Sequence, residues 1–238
     1  ATTENLGYSV RWILGDIATE RWLEMASDGT ASMLDSMPQP EGWKKNRIQP
    51  LATNHTVPSC AWMLESKGGA GKFNRLKAAE LRLTDEQKTQ LSAGQDLTMD
   101  DGTSLKAQDF RGEKRPMTRM VVSGDTSEMA EGLTTLSGVD VLVHESTFLA
   151  ESQQWADEFL HCTSTGAART ALACNARHLV LTHFSARLKD AKIPLSEAKQ
   201  VLDSSEVTVS AAVDGDRIKI SDSGSISHLV WTGDGWSS

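Results

Sequence analysis

Three short apolar runs constrain this chain more than any other feature: Met120-Val121-Val122, Val141-Leu142-Val143 and Leu179-Val180-Leu181. Each is too short for a helix and stops abruptly on polar residues. Runs of this kind read as strands buried on both faces, as in sheets covered by helices. Helical patterns lie between them, at about 127–137, 151–160 and 163–176, and again in "LSEAKQVLDSS". Strand and helix alternate from residue 117 onward, so the fold class is α/β, a layered domain.

The rest of the chain is less regular. "IQPLATNHTVPSCAWMLE" reads as two short strands around a turn at His55-Thr56-Val57-Pro58. "EVTVSAAVDGDRIKI" is expected to form a hairpin turning at Asp214-Gly215. The tail after residue 220, with "ISHLVWTGDGW", adds an edge strand. Residues 66–72, "SKGGAGK", form a flexible joint, and 73–110 read as a polar, partly helical arm inserted at about 66–112. Residues 1–50 are the poorly readable part. Trp22, Leu23 and Met25, then Met33, Leu34 and Met37, fall at helical spacing before "PQPEGWKKN" breaks the pattern.

Composition excludes some classes. A net charge of −8 argues against broad non-specific nucleic-acid binding, although it leaves room for a local basic patch. No stretch approaches the roughly 20 apolar residues of a membrane span. The start "ATTENLGYSV" lacks the pattern of a signal peptide, and without an initiator Met it suggests a processed chain or one cut from something longer. Three cysteines, Cys60, Cys162 and Cys174, are an odd number without CxxC spacing. They point to a reducing intracellular compartment, cytoplasm or organelle, and to neither a disulfide framework nor a cysteine zinc site.

The ends of the apolar runs carry chemistry-capable side chains. His55 follows "LATN", Asp125 lies in "VVSGDT", His144-Glu145 in "VLVHEST", and His183 in "LVLTHFSAR" with Arg187 just beyond; His161 sits at a helix start. Side chains at neighbouring strand ends can converge on one pocket. Imidazoles with a carboxylate suit zinc or manganese, and the carboxylate can bridge two cations. Glu145 near His161 would make a carboxylate–imidazole pair suited to general acid work. Singly, each has a plainer reading: a strand-end histidine is usually structural, "SGDT" is a common turn, and Arg187 is a solvated charge.

Taken in order, "NHTVPSCAWML", "MVVSGDTS", "DVLVHESTFL", "HCTSTGAARTALACNARHLVLTHFSAR" and "VTVSAAVDGDRIKI" resemble the later motifs of ribonuclease Z, the tRNA 3′-processing branch of the metallo-β-lactamase fold. The resemblance spans about residues 51–220 and implies the C-terminal half of an αββα sandwich with an incomplete N-terminal half. It also implies roles. His55 and His183 would each ligate one of two zinc or manganese ions, and Asp125 would bridge them. Glu145 and His161 would donate the proton to the leaving 3′ oxygen, and Arg187 would hold the pocket or a phosphate. Residues 71–110 look like the family's tRNA-binding arm, with Lys72, Arg75 and Lys77 as its phosphate contacts.

The family's principal metal motif, HxHxDH, is absent, since no histidine precedes His55. Two ligands per cation are fewer than a stable zinc site wants. The arm is also offset by Glu80, Asp85, Glu86 and Asp96. Three readings follow. The chain is a metal-dependent phosphodiesterase whose site a partner chain completes, acting on tRNA 3′ ends. Or it is a catalytically inactive, metal-free subunit of a larger complex, with seven tryptophans against one tyrosine fitting an interface. Or it hydrolyses a small phosphodiester such as a cyclic nucleotide. The first two expect a protein partner covering the open sheet face, in a homo- or hetero-oligomer.

Overall fold

In the computed structural model, residues 10–26 and 28–237 are described. They divide into two units. The first contains the residues up to 66 together with 119–217 and 228 onward; the second contains 67–118 and 218–227.

The first unit is organised by a six-stranded sheet. Its strands are β4 (Asn46–Ala52), β5 (Cys60–Ser66), β8 (Thr118–Val122), β9 (Val141–Glu145), β10 (His178–Thr182) and β11 (Thr208–Ala211), in the order β11-β10-β9-β8-β5-β4. From β8 to β11 the neighbours run parallel, with Leu179 opposite both Leu142 and Val209. β4 and β5 pair antiparallel, Leu51 opposite Ala61. The two strands expected around His55 are therefore present.

Helices α3 (Glu131–Thr134), α4 (Gln153–Phe159), α5 (Ser164–Ala173) and α6 (Lys192–Leu202) fill the crossovers. α5 packs against β9, β10 and α6, and α6 packs against β11. Ala167, Ala168 and Ala171 are fully buried and let α5 approach Leu142, Leu179 and Leu181 closely. Each such leucine contributes about 1.5–3 kcal/mol by leaving water. Side chains alternate across a strand. Val141 and Val180 therefore face the other way, and they are equally buried. Burial on both faces at these positions explains the unbroken apolar sequence of the two central strands. Beside them on that second face Val143 is only half-buried and Val122 is 37% exposed, so the open inner face expected of a half-sandwich persists in part.

Three readings of the sequence need correction. The stretch around Trp22 and Met33 is not helical. It forms a three-stranded antiparallel sheet of β1 (Trp12–Asp16), β2 (Arg21–Met25) and β3 (Ala31–Leu34). Its turns are made locally. The Asp16 carboxylate accepts from Ala18 N and from the Thr19 hydroxyl, and Gly29 adopts φ +83° where Ala26 N bonds Thr30 O. None of the described residues from 10 to 50 is fully buried, so apolar spacing there reflected no core. Next, the segment 206–220 is not one hairpin. The chain does turn at Asp214-Gly215, with Gly215 at φ +94°. However, β11 pairs with β10 in parallel, and β12 (Arg217–Ile220) is not a strand of the central sheet. Finally, the helix expected at 127–137 is a single turn, α3. The tail does form strands, β13 (Ile226–Trp231) and β14 (Trp236–Ser237), paired through Trp231 and Trp236.

The second unit contains α1 (Arg75–Glu80), α2 (Asp85–Ser92) and a two-residue pair of strands, β6 (Leu97–Thr98) with β7 (Ser104–Leu105). Asn74 caps α1, and Thr84 with Gln87 forms a reciprocal capping box on α2, worth about 1 kcal/mol. Its small core is Ala78, Leu83, Leu91, Ala107 and Phe110, with Phe73 stacked on Phe110. Among the described residues no helix is long and apolar enough to cross a membrane.

Candidate metal centre

Parallel strands deliver their C-terminal ends to one edge of a sheet. β8 runs out at Val122 into Ser123-Gly124-Asp125, β9 ends on Glu145, and β10 ends one residue before His183. β4 ends at Ala52, and the following loop carries His55; His161 lies between α4 and α5. The structure brings these five together. Donor atoms of His55, Asp125 and His161 lie within 4.8 Å of one another, and so do those of Glu145, His161 and His183.

Glu145 organises the group. Its side chain is only 1% exposed. Oε1 accepts from Thr126 N at 2.9 Å and faces His161 Nδ1 at 2.7 Å. Oε2 accepts from Cys162 N at 3.0 Å, Thr147 N at 3.2 Å and the Thr147 hydroxyl at 2.6 Å. A carboxylate only accepts, so His161 carries its hydrogen on Nδ1 and leaves Nε2 free. The same rule orders Thr147. Its hydroxyl donates to Glu145 and therefore accepts from His183 Nδ1–H at 2.8 Å. His183 Nε2 lies 3.5 Å from Asp125 Oδ1. His55 is fixed likewise: Nδ1–H donates to the Leu160 carbonyl at 2.9 Å, and Nε2 lies 4.0 Å from Asp125 Oδ2.

Nε2 of His55 and Nε2 of His183 thus face the two oxygens of one carboxylate, at 4.0 and 3.5 Å. Both contacts are longer than a good hydrogen bond and leave room for a cation between ring and carboxylate. Two ligand atoms on one tetrahedral zinc, each about 2.0–2.1 Å from it, are roughly 3.3 Å apart. The His183–Asp125 gap is close to that value, and the His55–Asp125 gap is wider. The donor set therefore fits cations held on either side of Asp125. Each cation would have two donors from this trio, fewer than the three or four zinc takes.

Backbone strain supports the placement. Leu160 and His183 adopt left-handed φ values of 51° and 55°. Each such residue costs on the order of 1–3 kcal/mol and tends to occur at functional sites. Leu160 aims its carbonyl at His55, and His183 reaches Thr147.

Other candidates fall outside the centre. Burial pushes the His144 imidazole down, although the Glu145 carbonyl accepts its Nδ1–H at 2.7 Å. Its Nε2 is buried without a partner among the described residues, so His144 is a structural neighbour of Glu145. Burial pushes the Cys162 thiol well above its usual range, with the Glu145 and Glu128 charges adding to it, which makes it a poor nucleophile. Arg187 is exposed and lines a cavity of about 650 Å³ that Thr147 also lines. In the second unit, Lys72 pairs with Asp222 at 2.9 Å. Lys77 donates to Asp109 O at 2.9 Å and lies over the Phe110 ring, and Arg75 is exposed at the start of α1. Thr147, Thr126 and Ser123, whose hydroxyl accepts from Glu145 N at 3.1 Å, were not legible as site residues. Thr147 carried one signal: residues i and i+2 of an extended chain share a face, which sets it beside Glu145.

No protein-family model matches the chain. Curated relatives do. Ribonuclease Z of Nitrosopumilus maritimus is 35% identical over 162 residues, 68% of this chain and 54% of that protein. Ribonuclease Z of Haloferax volcanii is 31% identical over 174 residues, 73% of this chain and 54% of that one. Ribonuclease Z of a Synechococcus strain is 38% identical over 134 residues, 56% and 42% of the two chains. The chain belongs to the ribonuclease Z branch of the metallo-β-lactamase fold. It spans about half the length of the ribonuclease Z proteins it matches. Among solved structures, the metallo-β-lactamase fold protein YhfI from Bacillus subtilis aligns at 20% identity over 77% of this chain and 49% of its own, with a TM-score of 0.42. The long form of RNase Z from yeast aligns at 18% identity over 71% and 17%, also with a TM-score of 0.42. The assignment to the ribonuclease Z branch rests on the sequence relation.

Proposed function

We propose that this chain is part of a ribonuclease Z-like, metal-dependent phosphodiesterase acting on tRNA 3′ ends, with its metal ligands completed by a second chain. The observation that carries the proposal is the pair of ring nitrogens, His55 Nε2 and His183 Nε2, facing the two oxygens of Asp125 with room for a cation at each. His55 with Asp125 would hold one zinc or manganese ion, and Asp125 with His183 the other. When bound, such ions supply Lewis acidity and activate water for attack at phosphorus.

The remaining roles belong to the chain's own side chains. Glu145 holds His161 by Nδ1–H, which leaves Nε2 to carry the proton given to the departing 3′ oxygen. Thr147 couples that carboxylate to His183, so that the proton donor and the metal ligand share one hydrogen-bonded frame. Arg187 offers its guanidinium to a phosphate beside them.

A second reading has its own support. Lys72, Lys88 and Lys106 of the arm all pair with carboxylates, Asp222, Asp85 and Asp96. Phosphate affinity depends on unopposed positive charge. A small phosphodiester such as a cyclic nucleotide would need no arm.

The deciding experiment is hydrolysis by the natively purified protein with whatever co-purifies, together with its metal content. About two zinc or manganese ions per chain, and loss of tRNA 3′-trailer cleavage in His183→Ala, is the expected result. Unchanged turnover in His183→Ala, or a metal-free native protein, would overturn the proposal in favour of an inactive subunit. Cleavage of cyclic nucleotides alone would select the second reading.

A further inference from the structure

We infer that α4 carries a base-stacking platform beside the candidate metal centre, built from Trp155 and Phe159 and reading single-stranded nucleotides next to the scissile phosphodiester. The inference rests on the phosphodiesterase reading for its substrate class.

Trp155 and Phe159 stand one helical turn apart, so their side chains share a face of α4. Their rings lie nearly parallel, at 8°, with centroids 6.0 Å apart. Both are exposed, Trp155 at 51% and Phe159 at 45%. Neither belongs to the buried core; the residue of α4 that anchors the helix is Ala156. Two large parallel rings held out in water leave much apolar area uncovered.

The pair lines the cavity of about 650 Å³, a size suited to a small-molecule or nucleotide moiety. Two features of the same wall select the occupant. Thr147 lines the cavity and also bonds His183 Nδ1, so one residue joins the cavity wall to the metal centre. Arg187 lines it as well, and it makes no ion pair within 4.0 Å among the described residues. Ser146, Ser152, Ser185 and the Glu151 carboxylate complete the polar side. The Ser146 hydroxyl already donates to Thr182 O and Ser185 Oγ accepts from Arg187 N, so the Arg187 guanidinium is the group an apolar peptide would leave unmatched. A nucleotide matches rings and cation: a base on the rings, a phosphate against Arg187, and a ribose hydroxyl donating to Glu151. Stacking is tolerant of base identity because every base has a π-face. The platform therefore grips unpaired nucleotides without fixing their sequence.

Anisotropy of a labelled single-stranded RNA pentamer, with an abasic pentamer beside it, tests this in chelator, using the natively purified protein with its partners. The intact protein is expected to bind the base-bearing pentamer about tenfold more tightly than the abasic one. Trp155→Ala removes most of that preference, Trp155→Phe keeps it, and Arg187→Gln weakens both oligomers alike. Trp155 is half exposed, so truncation leaves the core intact. Equal affinity for the two oligomers in the intact protein would overturn the inference. So would a Trp155→Ala variant that weakens both equally, as expected if a protein covers these rings. Because chelator removes the cation, the result is separate from cleavage. Base preference without hydrolysis would sink the hydrolase reading alone. Hydrolysis lost in His183→Ala, without base preference, would sink the platform alone.

Discussion

His183 Nε2 lies 3.5 Å from Asp125 Oδ1, while its Nδ1 is held by the Thr147 hydroxyl at 2.8 Å. Replacing the carboxylate by an amide keeps the side chain's size and destroys the cation seat. In chelator, Asp125→Asn is expected to be about as stable as the unaltered protein. With zinc at about a hundred times its Kd, the unaltered protein gains about 2.7 kcal/mol, and the variant gains none. Thermal unfolding with and without metal measures both. An equal gain in the variant would place the metal elsewhere.

Thr147 is the hinge between the proton donor and the metal ligand. Thr147→Val keeps the volume and removes the hydroxyl that donates to Glu145 and accepts from His183. Glu145 retains Thr126 N, Cys162 N and Thr147 N as donors, so folding is expected to survive. The His183 ring loses its fixed tautomer. A fall of about 10–100-fold in metal affinity is expected, with Thr147→Ser close to the unaltered protein. Equilibrium metal titration reads the difference.

The legible and illegible parts of this site divide along a physical line. Asp125, Glu145 and His183 could be found because each follows an apolar run, and parallel strands gather such ends; His55 could be found because it too follows a strand end. Thr147 could not, because a threonine after a strand has many uses and only the Glu145 carboxylate gives it this one. In the fold, β9 and β10 were readable because Val141, Leu142, Leu179 and Val180 are buried on both faces. Residues 10–34 were misread because helical spacing carries information only where one face meets a core, and Trp22 and Met33 meet none. Asp214-Gly215 marked a turn correctly, yet a turn does not determine which sheet receives the strands beside it.

Stability should depend on pH through a hydrogen-bonded chain far from the candidate centre. His178 Nδ1 meets the Thr208 hydroxyl at 2.7 Å and Nε2 meets Ser210 Oγ at 2.9 Å. Ser210 Oγ also meets His228 Nδ1 at 2.7 Å, and His228 Nε2 lies 2.8 Å from Asp216. Burial, and then the His228 charge, push the His178 imidazole below its ordinary value. Below pH 6.5 the unfolded chain therefore takes up a proton that the folded chain refuses. Stability is present above that pH and is lost as pH falls through it toward the folded value. His144, also held low by burial, adds to the same slope. His178→Gln keeps a donor and an acceptor but does not titrate. Urea midpoints between pH 7 and 5 should fall less steeply in the variant. An identical slope would remove His178 from the account.

The start of α5 sets where His161 stands. Thr163 caps the helix, its hydroxyl oxygen accepting from Gly166 N at 3.0 Å. Thr163→Ala leaves that N–H without its partner and should cost about 1 kcal/mol, while Thr163→Ser should cost much less. Chemical denaturation measures this, and the variant tests whether the loop carrying His161 depends on the cap.

Gly132 ties the His55 loop to α3. A Cβ there would meet Ala52 O at 2.3 Å and Ala52 N at 2.7 Å, both backbone atoms at the end of β4. Neither can rotate away, so Gly132→Ala must move α3 or the strand end. Overpacking of this kind typically costs about 1–3 kcal/mol. The strand end leads within three residues to His55, whereas His183 is reached through β10. The variant should therefore lose affinity for one cation more than for the other. Metal titration resolving two binding steps would show the first weakened and the second nearly unchanged. Equal weakening of both would mean that Asp125, rather than the His55 loop, had shifted.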